Sequence, residues 1–231
     1  MSLFRQLLWD LRLQKRYYFW AIALVISAVW LVLLINLNDS IRLRWLPALI
    51  FFDLSNIGLL FIAGCLYLER RQGTLYALVI SPVPCGRWLT VKLISLSLLT
   101  AACAILIVIF SGTAVNWLLL IPAVLANAAV FILCGFLLVL PFDDLLNYFT
   151  GMALALLILS LPLIGYFEIY VHWLYWLLPT QPVLVLLTAG FATIDSMSIA
   201  VSCLLCLGWV IVLYRLALQR FRKFIAERPW I

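Results

Sequence analysis

Glu69-Arg70-Arg71-Gln72-Gly73-Thr74-Leu75-Tyr76-Ala77-Leu78-Val79-Ile80-Ser81-Pro82-Val83-Pro84 is a polar, turn-capable island between two almost wholly apolar segments. Three consecutive charges, Glu69, Arg70 and Arg71, stand where an apolar helix would leave a membrane. Gly73 breaks the run, and Thr74 suits the N-cap of a short new helix. That helix is expected over residues 75–80, stopping at Ser81-Pro82. So short a helix is not stable alone. It needs a partner to dock on, and the expected partner is a cytoplasmic subunit.

Working outward, the 231-residue chain is 68% hydrophobic and 10% charged. Soluble domains average about 45–50% apolar and about 25% charged residues. The composition is that of an integral membrane protein, and no stretch is left over for a soluble domain, so one domain over residues 1–231 is expected. Apolar runs near the ~20 residues needed for a span fall at about 17–37, 46–68, 88–111, 117–140, 148–164 and 196–216. The fifth is short and holds Pro162. Residues 165–195 are apolar too, but Pro179, Pro182 and Glu168 make them read as short interfacial or re-entrant helices rather than a seventh span. The first apolar run is too long for the core of a signal peptide, so insertion rather than secretion is expected.

Thirteen of the fifteen Lys and Arg residues fall in three regions, the N-terminus, residues 70–92 and the C-terminus from Arg215. With six spans all three lie on one side, which the positive-inside rule makes the cytoplasm, with both termini there. The net charge of +6 is then a set of anchors near anionic head groups rather than a nucleic-acid footprint. Lys92 and Arg87 are expected to snorkel to those head groups. The six cysteines sit within spans or, for Cys85, on the cytoplasmic side. Cys203-Leu-Leu-Cys206 lies mid-span, where small polarizable packing residues are the expected reading.

Residues 1–16 form an amphipathic helix: Leu3, Phe4, Leu7, Leu8 and Leu11 recur on one face, Arg5, Arg12 and Arg16 on another. Span 1 ends in a loop at Asn36-Leu37-Asn38-Asp39-Ser40. Span 2 carries Asp53, Ser55 and Asn56, and span 4 carries Asn127. An ionisable residue at the depth of Asp53 must face protein or water. Two readings stand for these polar residues: a lining of a translocation path or dimer interface, or hydrogen bonds between helices. The aromatic-dense stretch from Tyr166 to Trp176 reads as an outer-interface element, and the lone His172 within it as structural. Asp143 and Asp144 make a cytoplasmic turn. Phe221, Phe224 and Ile225 in the basic tail are expected on a membrane face.

The island and its surroundings resemble the ABC-2 type permeases, the membrane halves of a class of ABC exporters. The resemblance rests on Glu69-Arg70, Gly73-Thr74-Leu75, Leu78, Ser81-Pro82 and Lys92. It also rests on the amphipathic N-terminus, the six spans, and Leu178-Pro179-Thr180-Gln181-Pro182. Within the family the chain looks most like small bacterial fluoroquinolone or drug export permeases. The resemblance implies an all-α integral membrane protein with six transmembrane helices, in an ABC-2, type V exporter-like architecture. Residues 1–16 would be the elbow helix and residues 69–87 the coupling loop. Coupling to the ATPase is assigned to Glu69, Arg70, Arg71, Gly73, Thr74 and Leu75. The implied partners are a cytoplasmic ABC ATPase that holds ATP and Mg, and a second permease chain in a homo- or heterodimer in the bacterial inner membrane.

No G-x-x-x-x-G-K-[ST] occurs in the sequence, so no P-loop cradles ATP here. H-E-x-x-H is missing too, and one histidine makes no multi-histidine metal site. No nucleophile, base and acid set is visible, so the chain is not expected to be an enzyme or to bind a cofactor itself. The sequence reads as the permease subunit of an ATP-driven exporter of an amphipathic small molecule such as an antibiotic. The alternatives are a non-transporting membrane scaffold or assembly factor, an exporter of lipid or another cargo, and, least favoured, a membrane-embedded enzyme.

Overall fold

The computed structural model describes residues 3–74 and 84–227. All regular structure among the described residues is helical. The elements are α1 (Leu3–Arg16), α2 (Phe19–Ile35), α3 (Asp39–Arg71), α4 (Cys85–Ser111), α5 (Trp117–Val139), α6 (Leu145–Leu159), α7 (Pro162–Tyr166), a 3₁₀ helix (Trp173–Leu177), α8 (Thr180–Ala189) and α9 (Ser196–Glu227). Among them, α3, α4, α5, α9 and the stretch Leu145–Tyr166 are each long and apolar enough to cross a membrane. The pair α1 and α2 makes a sixth candidate, bent by 65° at Tyr17-Tyr18. Tyr18 adopts a left-handed backbone there (φ 59°).

The bundle is organised around α5, which packs on α3, α4, α8 and α9. Its backbone comes very close to α3. A Cβ on Gly135 would stand 3.0 Å from Leu59 Cα, and one on Gly58 would stand 3.0 Å from Phe131 Cβ. Small residues are the usual means of bringing helix backbones together in lipid, where no hydrophobic drive separates helix from solvent. Phe51 and Ile62 of α3 and Phe131 of α5, all fully buried, lie in the seam, with the Phe51 and Phe131 rings edge to face at 5.4 Å.

Several boundaries differ from those the sequence suggests. The loop expected over residues 36–40 is shorter, because Asn38 already precedes the first turn of α3. The fifth span is interrupted at Ser160-Leu161, where Pro162 opens α7. Of the apolar stretch 165–195, α8 is ten residues long, too short to cross a bilayer. Most of α8 is buried, packed against α5 and α9. Asn116 N–H donates to Gly190 O (2.9 Å), tying the end of α8 to the start of α5.

α9 is one unbroken helix of 32 residues. At 1.5 Å per residue it runs about 48 Å, well past a ~30 Å hydrocarbon core. Its last third folds its apolar side onto the bundle. Phe221 is fully buried, stacked on Trp88 (4.9 Å between centroids) and edge-on to Phe136 (5.2 Å). The membrane-facing position expected for Phe221 is therefore replaced by packing on the bundle, since an aromatic pocket lies in reach. Phe224 sits under the Arg70 guanidinium, 4.8 Å from its ring centroid.

Candidate functional site

The polar groups collect at the end of the bundle where α3 stops and α4 starts. Glu69 is in the last turn of α3 and Lys92 in the third turn of α4. Lys92 Nζ lies 2.6 Å from Glu69 Oε1 and also pairs with Asp10 Oδ1 of α1. Trp88 Nε1–H donates to Glu69 Oε2 (3.0 Å), and the Trp88 ring stands 5.7 Å from the Lys92 ammonium. Asp10 Oδ2 accepts from Ser95 Oγ–H and from Gln14 Nε2–H (3.2 Å). Gln14 also donates to Ser95 Oγ (3.0 Å).

Asp10, Gln14, Lys92 and Ser95 are all buried. Two carboxylates around one ammonium away from bulk water survive only when hydrogen bonds absorb the remaining charge. Here Trp88, Ser95 and Gln14 supply them. The cluster joins α1, α3 and α4 at one point, and α3 and α4 are the two helices that flank residues 75–83.

Beside this junction, Arg70 turns the other way. Its guanidinium donates to Phe142 O (2.9 Å) and Leu140 O (3.4 Å), and lies 4.0 Å from Asp143. Tyr67 OH donates within the same turn, 3.1 Å from both Phe142 O and Asp144 O. Arg71 and Thr74 are exposed. Gly73 has φ 68°, the left-handed turn that a glycine takes without strain. Thr74 Oγ1–H donates back to Glu69 O (3.2 Å). Leu75 and the short helix expected over residues 75–80 lie outside the described residues.

A second polar group sits deep in the bundle. Asp53 on α3 is fully buried and accepts from Ser27 Oγ–H of α2 (2.9 Å) through Oδ2, while Oδ1 has no hydrogen-bond partner. Asn127 of α5 donates to Phe51 O of α3 (3.4 Å). Asn56 donates to its own helix at Phe52 O (2.9 Å). Asp53 and Asn127 each bond a neighbouring helix.

Residues 1–229 match the fluoroquinolones export permease protein family. The chain belongs to that family. It is also 28% identical over 193 residues to the fluoroquinolones export permease proteins of two Mycobacterium tuberculosis strains, CDC 1551 and ATCC 25618. Those matches cover 83% of this chain and 80% of each relative. The molecule is thus a multi-pass membrane permease.

The permease corrects one expectation about its charged residues and adds a feature of α1. Lys92 does not snorkel to head groups, because Asp10 and Glu69 lie within reach and its side chain is only 5% exposed. α1 turns a polar strip inward. Asp10 and Gln14 point into the bundle, while Leu3, Phe4 and Leu8 are exposed. The signal for this was Gln6, Asp10 and Gln14, spaced by four on one face of α1, a polar strip masked by the leucines between. Sequence reasoning missed Asp10, Gln14, Trp88 and Ser95.

At the opposite end of the bundle, Arg44 lies 4.0 Å from Glu168, and Tyr166 OH donates to Arg44 O (2.8 Å). Trp45 packs on Phe167 with 4.7 Å between ring centroids. The aromatic stretch expected at an outer interface is therefore fastened to the start of α3. His172 Nδ1 accepts from Leu174 N–H (3.2 Å) and caps the 3₁₀ helix, a structural role. Cys203 is exposed and Cys206 buried, so the two thiols face different surroundings.

Proposed function

We propose that the chain is the membrane subunit of an ATP-driven exporter in the bacterial inner membrane, with both termini cytoplasmic. Two copies, or one copy and a sister chain, would form the pathway. A cytoplasmic ABC ATPase carrying ATP and Mg would dock on residues 69–87, touching Arg71, Gly73, Thr74 and Leu75. The cargo would be an amphipathic small molecule, and the names of the mycobacterial relatives make a fluoroquinolone the first one to try.

The observation that supports this reading most is the junction of Glu69, Lys92 and Asp10. A loop that receives a push must be rigidly joined to the spans it moves. Both helices flanking residues 75–83 are held by one buried ion cluster that also grips α1. A displacement of the loop would then move α1, α3 and α4 together rather than dissipate in a hinge. Within the coupling set, Glu69 and Arg70 would act as internal fasteners and the glycine turn as the contact.

The test is purification of the detergent-solubilised chain from its host, with mass spectrometry of the proteins that accompany it. A stoichiometric P-loop ATPase, lost when Gly73, Thr74 and Leu75 are altered together, is the expected result. Recovery of intact, folded chain without any ATPase under gentle conditions would sink the proposal.

A further inference from the structure

We propose that a recess walled by the rings of Tyr170, His172 and Tyr175 binds a planar aromatic amphipath bearing a hydrogen-bond acceptor, and holds cargo on the release side. The recess measures about 410 Å³, within the ~300–1,000 Å³ range of small-molecule sites. Leu161, Leu174 and Leu178 line it as well. It lies between the break in the fifth span at Ser160-Leu161 and the 3₁₀ helix, at the end of the bundle that holds the Arg44 and Glu168 pair. The inference rests on the export reading above, which makes this end the side of release.

Rings at a membrane surface commonly serve as anchors, which need only reach head-group level. These three are instead fitted to one another. Tyr170 and His172 lie nearly parallel, with 12° between planes and 5.8 Å between centroids. Tyr175 lies against Gly165: a Cβ there would stand 3.1 Å from two atoms of its ring and 3.8 Å from Tyr170 O. A side chain at residue 165 would push the ring away, so α7 backs Tyr175 and the Tyr170 backbone together. His172 and Tyr175 are only partly exposed. A flat conjugated ring gains from stacking on such faces beyond the area it buries, whereas an acyl chain does not.

The recess also has polar edges. His172 Nδ1 accepts from Leu174 N–H (3.2 Å), so the neutral imidazole carries its proton on Nε2 and can donate from that nitrogen. The Tyr170 and Tyr175 hydroxyls can donate too. Donors beside stacking faces and leucines select a flat amphipath with a carboxylate or ketone on its rim. Leu178 leads through Pro179 into α8, which packs on α5 and α9. The recess is thus a meeting point of the bundle interior and the surface.

The experiment is equilibrium binding of ciprofloxacin, a flat aromatic amphipath with a carboxylate and a ketone, to the full-length chain in lipid nanodiscs. Binding is read from the anisotropy of the drug's own fluorescence, and amide exchange over residues 170–178 is followed with and without it. Tyr170 is 60% exposed, so Tyr170→Leu removes a ring without emptying the core. That variant should bind about tenfold more weakly, and Tyr170→Phe nearly as well as the wild type. Trp176→Leu, which removes an exposed ring of the 3₁₀ helix outside the recess, should change little. Saturating drug should slow exchange over residues 170–178. Wild-type affinity in Tyr170→Leu, or exchange there unmoved by saturating drug, would overturn the site and leave the export reading standing, with cargo held elsewhere. Equal weakening in Tyr170→Leu and Trp176→Leu would overturn it as mere partitioning into an aromatic interface. No binding by the wild type would also overturn the site. The export reading falls with it only if inverted vesicles carrying the chain and its ATPase fail to take up ciprofloxacin.

Discussion

Lys92 Nζ and Glu69 Oε1 are 2.6 Å apart, joining the end of α3 to the start of α4 across the loop between them. With Asp10 on the other side of the ammonium, the contact makes the first helix of the chain a structural part of the loop's base. A surface-lying helix that served only as a membrane anchor would have no reason to send an aspartate into a buried ion cluster. The geometry ties α1 mechanically to the loop.

Replacing Lys92 with Met leaves the buried Asp10 and the partly buried Glu69 carboxylates without their shared cation. Breaking a buried pair this way costs about 3–5 kcal/mol, whereas neutralising every member is far milder. Thermal unfolding of the purified protein should therefore rank Lys92→Met below the triple variant Asp10→Asn/Glu69→Gln/Lys92→Met. If the single variant is the more stable of the two, the cluster is not a charge-balanced unit.

Gly73 holds φ 68°, and a β-branched residue in that conformation costs about 1–2 kcal/mol. Gly73→Val relieves this by reshaping the turn between α3 and residues 75–83. On the proposed function the variant should insert in the membrane normally and still recruit the ATPase poorly or hydrolyse ATP without transport. Wild-type coupling measured in proteoliposomes would show that the turn carries nothing.

Much of this is legible in the sequence. The spans emerge because an apolar run of ~20 residues has few other uses, and Pro179, Pro182 and Glu168 argue against a seventh span over residues 165–195. What could not be read was direction. Lys92 at the end of a span looks the same whether it turns to head groups or inward, and its partner Asp10 is 82 residues away in sequence. The same holds for Phe221: an aromatic on a basic tail fits lipid equally well until Trp88 and Phe136 are seen to form a pocket for it. Side chains whose fate depends on distant partners are illegible to periodicity, which reports only the face a residue lies on.

Asp53 and Ser27 separate an interhelical bond from a pathway lining. Hydrogen bonds between membrane helices average about 0.6 kcal/mol, so Ser27→Ala should lower stability only slightly. Asp53→Asn keeps an oxygen for Ser27 and removes the charge. If the pair is only a tie between α2 and α3, both variants should transport like the wild type in vesicles. A transport defect in Asp53→Asn with unchanged melting would instead place the carboxylate on the cargo's route.

Arg70 offers the sharpest distinction between fastener and docking residue. Its fork reaches Phe142 O and Leu140 O while its plane covers Phe224, a geometry that lysine cannot reproduce. A hydrogen bond to a charged group is worth about 1.5–3 kcal/mol. Losing the fork should free the α5–α6 turn and the tail of α9, so their amides should exchange with deuterium about tenfold faster or more. Arg70→Lys and Arg70→Gln should be nearly alike in this respect. If Arg70→Lys instead protects the tail fully and only Arg70→Gln loosens it, the positive charge is what matters, and the residue acts through electrostatics rather than through its paired carbonyl bonds.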